Sequence, residues 1–512
     1  MAIVLNSYRP NRRARFSVAL WSSTFALGCV LYFATAQRTI SWQDSGMFQW
    51  RSLTGDYSGF LGLALAHPLY IAAGQCLAAI SRQHLPLLLN CFSGLGMAVA
   101  LANLSAITFL LTRRKWIALL TAAMLAVTHT VWWLSSVAEV YTWSVAGLTG
   151  ELLLLVLLLD RPRWSLLAWL GLLNGLGLCV HNFALLATPI YTATAIVLVV
   201  RGKLTVRSLV GFAVAWLIGA ALYIGMTIDL AISGTGIVGA VHSALMGKYG
   251  RQVLNVGATG PRWKENIFLS GLNFVGLLLP LAVVGWTQMR RRLGAGTAAV
   301  LGAVTLVHVM FFVRYPVPDQ FTFILPTLAM LAIAASVGMA ALSDISPRWR
   351  TTVIAISMAS LLWQPALYAV GPALARASGK QVSQKQPLGS RDELSYWMVP
   401  WKHNERSAET FAAAAFAQAM PDGVIVPHGT SRYPLLLHKM LMCKDTRVAV
   451  QFAGSPLPPY DADTHAFSEA LGGRQLLLVV KSTESVSARL LADATISDTP
   501  NPVLYTVKLP KH

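Results

Sequence analysis

The chain is 512 residues long, 55% apolar and only 12% charged, and its mean hydropathy is +0.56. This excludes a soluble globular protein, because apolar runs of about 20 residues, each long enough to cross a bilayer as a helix, recur along it. The net charge of +19 argues for no nucleic-acid partner, since 17 of the 25 basic residues before position 374 fall in six short clusters between the apolar runs, and the last 139 residues are near balance with 15 basic and 12 acidic side chains. That distribution marks membrane topology and contact with anionic lipid.

In chain order, Arg9, Arg12, Arg13 and Arg15 precede an apolar run that ends in Ala34-Thr35-Ala36 and imitates a secretory signal. The run is long for a signal and ten further spans follow, so it reads as an uncleaved first span. Eleven spans are predicted: 16–36, 86–111, 116–136, 140–159, 164–181, 182–200, 208–229, 267–289, 295–313, 320–342 and 351–373. The remaining clusters are Arg113/Arg114/Lys115, Arg161/Arg163, Arg201/Lys203/Arg207, Arg290/Arg291/Arg292 and Arg348/Arg350. The positive-inside bias puts all six on the cytoplasmic face, with the N-terminus there and the tail outside.

A further apolar segment, 59–80, would invert every later loop if it crossed, so it is expected to lie on or dip into the outer interface. A Gly/Ser/Gln/Lys linker is expected at 374–390. Beyond it helix-like and strand-like stretches alternate, with strands at 424–427, 447–451, 476–481 and 503–508. The fold class is therefore an all-α polytopic membrane bundle over 1–373 followed by a small extracytoplasmic α/β domain over 391–512. Cys29, Cys76, Cys91, Cys179 and Cys443 form neither a disulfide framework nor a metal-ligand spacing.

Residues 1–373 hold only nine acids, and the topology puts six of them, Asp44, Asp56, Glu139, Asp229, Glu265 and Asp319, on the outer face. A carboxylate near hydrocarbon is costly unless it is paired or used. Asp44 directly follows the first span and reads either as a functional acid or as a cap for a loop helix. Glu139 follows Trp132-Trp133, which mark the headgroup level, so it shares the depth of Asp44 and the two could flank one cavity. His67 stands before Pro68 in the leftover segment, as a ligand for phosphate or hydroxyl or as a polar anchor. Glu151, mid-span, is expected to make a hydrogen bond or an ion pair inside the bundle. Arg314 and Asp319 flank a stiff Pro-rich turn and could simply pair with each other. Lys248, Arg251, Arg262 and Lys264 in a long outer loop could neutralise a lipid phosphate or be solvated charge.

Taken in order, Asp44-Ser45-Gly46-x-Phe48, Ala66-His67-Pro68-Leu69-Tyr70, Asn90-x-Phe92-Ser93, Ala138-Glu139-Val140-Tyr141, Gly175-Leu176-Gly177-Leu178 with His181, and Tyr315-x-x-x-Asp319-Gln320 with Pro326 resemble the bacterial protein O-mannosyltransferase-like family of GT-C glycosyltransferases. That family also has an animal transmembrane relative. Pro400-Trp401-Lys402 and Pro421-Asp422-Gly423 extend the likeness into the tail. The chain departs from the pattern where Pro68 runs straight into Leu69-Tyr70, and at His428-Gly429-Thr430-Ser431-Arg432.

The resemblance implies a polyprenyl-phosphate sugar as co-substrate and transfer to a protein, glycan or lipid acceptor outside the plasma (inner) membrane. It further implies Asp44 as catalytic base with Glu139 beside it. His67, Tyr70, Tyr141, His181, Tyr315 and Asp319 would line the substrate site, and basic residues such as Lys248, Arg251 and Arg314 would hold the lipid phosphate. No nucleotide-sugar fingerprint and no clustered metal ligands occur, so no cofactor or metal is expected. The rival reading is a transporter or lipid-linked-sugar flippase, against which stand the absence of a visible repeat and the gathering of charge at one surface.

Overall fold

The computed structural model describes residues 17–258, 260, 263–379, 391–451, 457–458, 460–481, 487–498 and 504–509. The basic cluster at 9–15, Arg262 and most of the expected linker lie outside the described residues.

Helix α1 (Val18–Thr35) begins at Ser17, whose hydroxyl accepts the Leu20 N–H at 3.3 Å. The first long loop carries α2 (Gln43–Thr54) and α3 (Pro68–Ile80). The bundle continues through α4 (Leu85–Thr112), α5 (Lys115–Ala126), α6 (His129–Ser135), α7 (Tyr141–Asp160), α8 (Trp164–Val180), α9 (Ala184–Val200), α10 (Val206–Leu230) and α11 (Gly236–Leu245). The short α12 (Gly250–Val253) precedes α13 (Trp263–Gly271), α14 (Leu278–Leu293), α15 (Ala295–Arg314), α16 (Leu325–Ser343) and α17 (Pro347–Ala377).

Seven of these segments are long and apolar enough to cross a membrane, and two bent pairs, α5–α6 at 72° and α13–α14 at 76°, each add one. With the two apolar 17-residue helices α8 and α9, helices or bent pairs stand at all the expected span positions, and the chain is a multi-pass membrane protein. Helix α3 has 13 residues, about 20 Å at 1.5 Å per residue, too short for about 30 Å of hydrocarbon. The loop expected after residue 229 is instead helical through α11, continuous with α10 except for a turn at Ala231–Thr235.

Lipid tails are as apolar as leucine, so helices in a membrane associate where backbones can approach closely. Helix α8 has Gly171 and Gly175 four residues apart; a Cβ on Gly175 would lie 2.2 Å from the Trp216 carbonyl oxygen of α10, and one on Gly219 2.3 Å from that of Leu172. Gly285 of α14 and Gly338 of the fully buried α16 meet in the same way, at 1.8 Å from Ala334 O and 2.1 Å from Leu281 O. Glu151 in α7 accepts from Asn174 Nδ2 at 3.2 Å and from Tyr191 Oη at 2.9 Å, the internal hydrogen bonding expected of it. At one end of the bundle Asp344 accepts from both Arg114 and Arg292, which draws three basic junctions together.

The tail begins with α18 (Glu393–Met398) and α19 (Ser407–Gln418), then alternates β1 (Val424–Val426), α20 (Arg432–Leu441), β2 (Ala449–Val450), α21 (Thr464–Leu471), β3 (Leu476–Leu478), α22 (Ala488–Asp493), β4 (Thr495–Asp498) and β5 (Tyr505–Lys508). The sheet order is β2-β1-β3-β5-β4, with β2, β1 and β3 parallel and β5 antiparallel to both neighbours. All four expected strands form, slightly shorter than expected; β4 pairs with β5 without an alternating pattern to announce it. The tail packs against the end of the bundle opposite Asp344. Lys402 N–H donates to Thr35 O at 2.8 Å, Trp42 Nε1 to Ser407 Oγ at 2.8 Å, and His129 Nε2 to Trp397 O at 2.9 Å.

A Gly175→Ala substitution is expected to force α8 and α10 apart and destabilise the protein by about 1–3 kcal/mol. Gly211→Ala, in α10 but facing open space, is expected to be neutral or stabilising by up to about 1 kcal/mol. Thermal unfolding of the two variants in detergent checks this contrast.

Candidate active site

The loop between α1 and α2 is built on neutral polar side chains. Gln37 Nε2 donates to Ile40 O at 2.9 Å and Ser41 Oγ to Gln37 Oε1 at 2.9 Å. Gln49 Nε2 donates to Ser41 Oγ at 2.9 Å and to Asn90 Oδ1 at 3.2 Å, while Asn90 Nδ2 donates to Gln37 O at 2.7 Å. All four side chains are buried, so the lattice satisfies groups that would otherwise be stranded without water. It fixes the entry to α2, where Gln43 adopts a left-handed φ of +51°, a strained state for a residue with a Cβ. Asp44 follows in the first turn of α2. Gly46 is required by close approach: a Cβ there would fall 2.3 Å from Ser41 O and 3.0 Å from Tyr433 Cβ of the tail.

Three acids from three junctions share this place. Ser45 Oγ donates to Glu139 Oε1 at 3.0 Å, tying α2 to the α6–α7 junction. Ser93 of α4 fixes the backbone of Glu139: it accepts the Glu139 N–H at 2.8 Å, donates to Glu139 O at 2.9 Å, and meets Tyr70 Oη at 2.9 Å. Burial pushes the Glu139 carboxyl well above its ordinary range, Asp44 and Asp319 add to this, and the Ser45 hydrogen bond opposes it. Asp319 is pushed up to about 7 by burial and by Asp44. Burial raises Asp44 as well, yet its side chain stays accessible, whereas Asp319 is half-buried and Glu139 only 6% exposed. Asp44 is thus the most accessible of the three carboxyls.

Tyrosines surround the acids. Tyr249, beside α12, lies in the field of Asp44 and Asp319; Tyr315 in that of Asp319; and Tyr433, from the tail, in that of Asp44 and Arg51. Tyr141 is within the field of all three acids. An aromatic wall continues from it. Tyr141 meets His181 at 5.3 Å and Phe323 at 5.3 Å between ring centroids, and Phe323 meets Tyr315 at 4.7 Å. His181 stacks on His67 at 5.0 Å, and Phe48 touches both His67 and Tyr70.

His67, like Gln43, has a left-handed φ of +51°. Its Nδ1–H donates to Val180 O at 2.8 Å, and burial with the charge of Arg51 pushes it down to about 3. It is therefore neutral at pH 7, with Nε2 as a hydrogen-bond acceptor.

Arg51 is 2% exposed and binds the loop before His67: it donates to the carbonyls of Asp56 at 2.9 Å, Tyr57 at 2.9 Å, Leu65 at 3.2 Å and Ala66 at 2.7 Å. Lys248 is exposed, its Nζ 5.4 Å from the Phe60 ring centre, and Arg251 is exposed on α12. These two cations flank Tyr249. The Arg314 guanidinium turns to Asn255 O, with Nε at 2.9 Å, and Asn255 Nδ2 donates back to Arg314 O at 2.8 Å. It thus braces the loop that bears Arg251. Among the described residues, no three His, Cys, Asp or Glu are grouped to hold a metal ion.

Of the residues singled out in the sequence, Asp44, Glu139, Asp319, Tyr141, Tyr315, His67, His181 and Tyr70 are brought into one electrostatic and aromatic assembly. Tyr249, Tyr433, Ser45, Ser93 and the amide lattice were not singled out as site residues. Only Ser45, Ser93 and the lattice's Asn90 lay within recognised motifs.

This bundle, its α/β tail and the end-on gathering of acids define a multi-pass membrane protein made of a polytopic helical bundle and a small α/β domain. In particular, the chain is similar to the crystal structure of ArnT from Cupriavidus metallidurans bound to undecaprenyl phosphate, with a TM-score of 0.57 and 12% identity over 96% of this chain and 98% of that one. It is similar also to ArnT from the same organism in the apo state, with a TM-score of 0.55 and 14% identity over the same shares. No known family profile matches the chain, and no curated protein sequence does.

Arg51→Met is expected to strand the four carbonyls and destabilise the protein by about 3–5 kcal/mol, with Arg51→Lys intermediate. Thermal unfolding in detergent measures it, and unchanged midpoints would show that the loop is held by other contacts.

Proposed function

We propose that the protein is a glycosyltransferase that moves a sugar from a polyprenyl-phosphate-linked donor to an acceptor hydroxyl on the extracytoplasmic face of the inner membrane. In this reading the N-terminus is cytoplasmic and the tail extracytoplasmic. One observation carries the proposal: an accessible Asp44 held in the field of Glu139 and Asp319 beside a wall of tyrosines and histidines. The ArnT structure named for its bound undecaprenyl phosphate supports the donor class, and the motif series supports a protein O-mannosyltransferase-like subtype.

The proposed chemistry is a single inverting displacement. Asp44 accepts the proton of the acceptor hydroxyl, whose oxygen forms a bond to the anomeric carbon. The bond from that carbon to the phosphate oxygen breaks, and the electron pair leaves with polyprenyl phosphate. A phosphate needs little acid help to depart but gains from fixed positive charge near its oxygens. Lys248 and Arg251 are proposed to supply that charge, with Arg314 holding their loop. Asp44 is chosen over its neighbours because it alone of the three acids is well exposed, and a base must come within about 3 Å of the proton it removes. Glu139, fixed by Ser45 and Ser93, is proposed to keep the proton affinity of Asp44 high. His67 Nε2 and the hydroxyls of Tyr70, Tyr141 and Tyr315 suit the hydrogen bonding of a sugar, and the His181 ring offers it a stacking face.

The test supplies polyprenyl-phosphate sugars and candidate acceptors to purified protein. Asp44→Asn is expected to lower transfer by about 10²–10⁴-fold. Equal transfer by both proteins would remove Asp44 from the role of base, and no transfer from any such donor would overturn the enzyme class.

The raised carboxyls also set a sign for pH. A base works only when ionised, and burial raises Asp44, so kcat/KM should rise with pH through a midpoint above the ordinary carboxylate value of about 4. Asp319→Asn, which removes a like charge, should move that midpoint down.

A further inference from the structure

A second basic site lies at the opposite end of α7 from Glu139. The 20 residues of that helix place the two sites about 30 Å apart. Here the turn after α7 meets the turn before α10, and a cavity of about 620 Å³ opens between them, lined by Arg163, Trp164, Ser165, Lys203, Arg207 and Ser208 among others.

The cations of this bundle end are not all alike. Arg114 and Arg292 are neutralised by Asp344, and Arg161 lies 3.6 Å from Asp160. Arg163, Lys203 and Arg207 are exposed, and none of the three has a side-chain hydrogen bond or ion pair among the described residues. Three positive charges around one concavity repel one another unless an anion joins them. The first turns of α8 and α10 open beside it, and neither contains an acid or receives a side-chain cap, so their free N–H groups add to the positive potential.

The surroundings identify the anion's body. Trp164 is 67% exposed and Val206 67% exposed, with Trp169 and Val210 further along the same helices at 60% and 59%. An indole at a helix end marks the headgroup level, and the apolar side chains run from there along the bundle surface. A basic recess continuous with an exposed apolar flank matches a molecule with a phosphate head and hydrocarbon tails.

We infer that this cavity binds the phosphate of an anionic phospholipid, with Arg163, Lys203 and Arg207 on the headgroup and the acyl chains along Trp164 and Val206. This inference is independent of the proposed glycosyl transfer.

The experiment places the purified protein in nanodiscs of zwitterionic lipid with and without phosphatidylglycerol, and reads bound lipid by native mass spectrometry and stability by thermal unfolding. The anionic lipid is expected to co-purify and raise the melting temperature. An Arg163→Ala/Lys203→Ala/Arg207→Ala protein should bind it roughly 100-fold more weakly, about fivefold for each charge removed. An Arg291→Ala/Arg348→Ala/Arg350→Ala protein loses equal charge outside the cavity and should bind like the parent. Equal weakening in both variants would reduce the effect to general surface charge and overturn the site. Inorganic phosphate is the third arm: equal stabilisation by millimolar phosphate in zwitterionic discs would identify a free-anion site and overturn the lipid assignment.

Discussion

Like charges in a poorly hydrated place repel one another, and this structure holds three of them within mutual range. Asp44, Glu139 and Asp319 come from junctions far apart in the chain, and each would relax away from the others or take up a proton if its backbone were free. The surrounding protein prevents the first and favours the second. Glu139 is bound at its N–H and its carbonyl by one serine and at its carboxyl by another. Asp44 is set by a loop whose buried amides leave no slack. Asp319 stands in a turn stiffened by Pro316 and Pro318. A raised proton affinity is the electrostatic result, and in a base it sets how strongly a proton can be drawn from a hydroxyl.

The same constraint accounts for the strain nearby. Of the three non-glycine residues with positive φ among the described residues, Arg113 ends a helix, where the left-handed state is common. The other two are Gln43, immediately before Asp44, and His67. Backbone strain of this kind persists only where neighbouring contacts over-determine the conformation. Arg51 and the amide lattice are those contacts, and they trade hydration for hydrogen bonds to carbonyls that would otherwise be orphaned in the fold.

Much of the architecture was legible because a membrane imposes simple rules. Hydrophobic length located the spans, and clustered cations located one set of junctions. The rarity of acids drew attention to Asp44, Glu139 and Asp319, since an acid near hydrocarbon needs a reason. Glu151 was read correctly on the same ground. Legibility stopped where the signal was neither charge nor length. Gln37, Gln49 and Asn90 are uncharged and meet across separations of up to 53 residues, so nothing in their spacing announces a lattice. Tyr249 and Tyr433 look like ordinary aromatics until the fold delivers them to an acid. The Arg314–Asp319 spacing suggested a local pair, but a backbone carbonyl at residue 255 captures the guanidinium instead. The bend between α5 and α6 escaped notice because the apolar run continues through it.

The contact between Gly46 and Tyr433 has a consequence for how such proteins diversify. A methyl group on Gly46 would collide with Ser41 O at 2.3 Å and crowd Tyr433 Cβ at 3.0 Å, so the loop that bears Asp44 and the helix of the tail that covers it are closely fitted. A tail transplanted from another protein would meet that loop as a foreign surface. Exchange of tails among proteins of this architecture would therefore have to carry the facing turn of α2 along with α20, which ties the α/β tail to the loop beneath it.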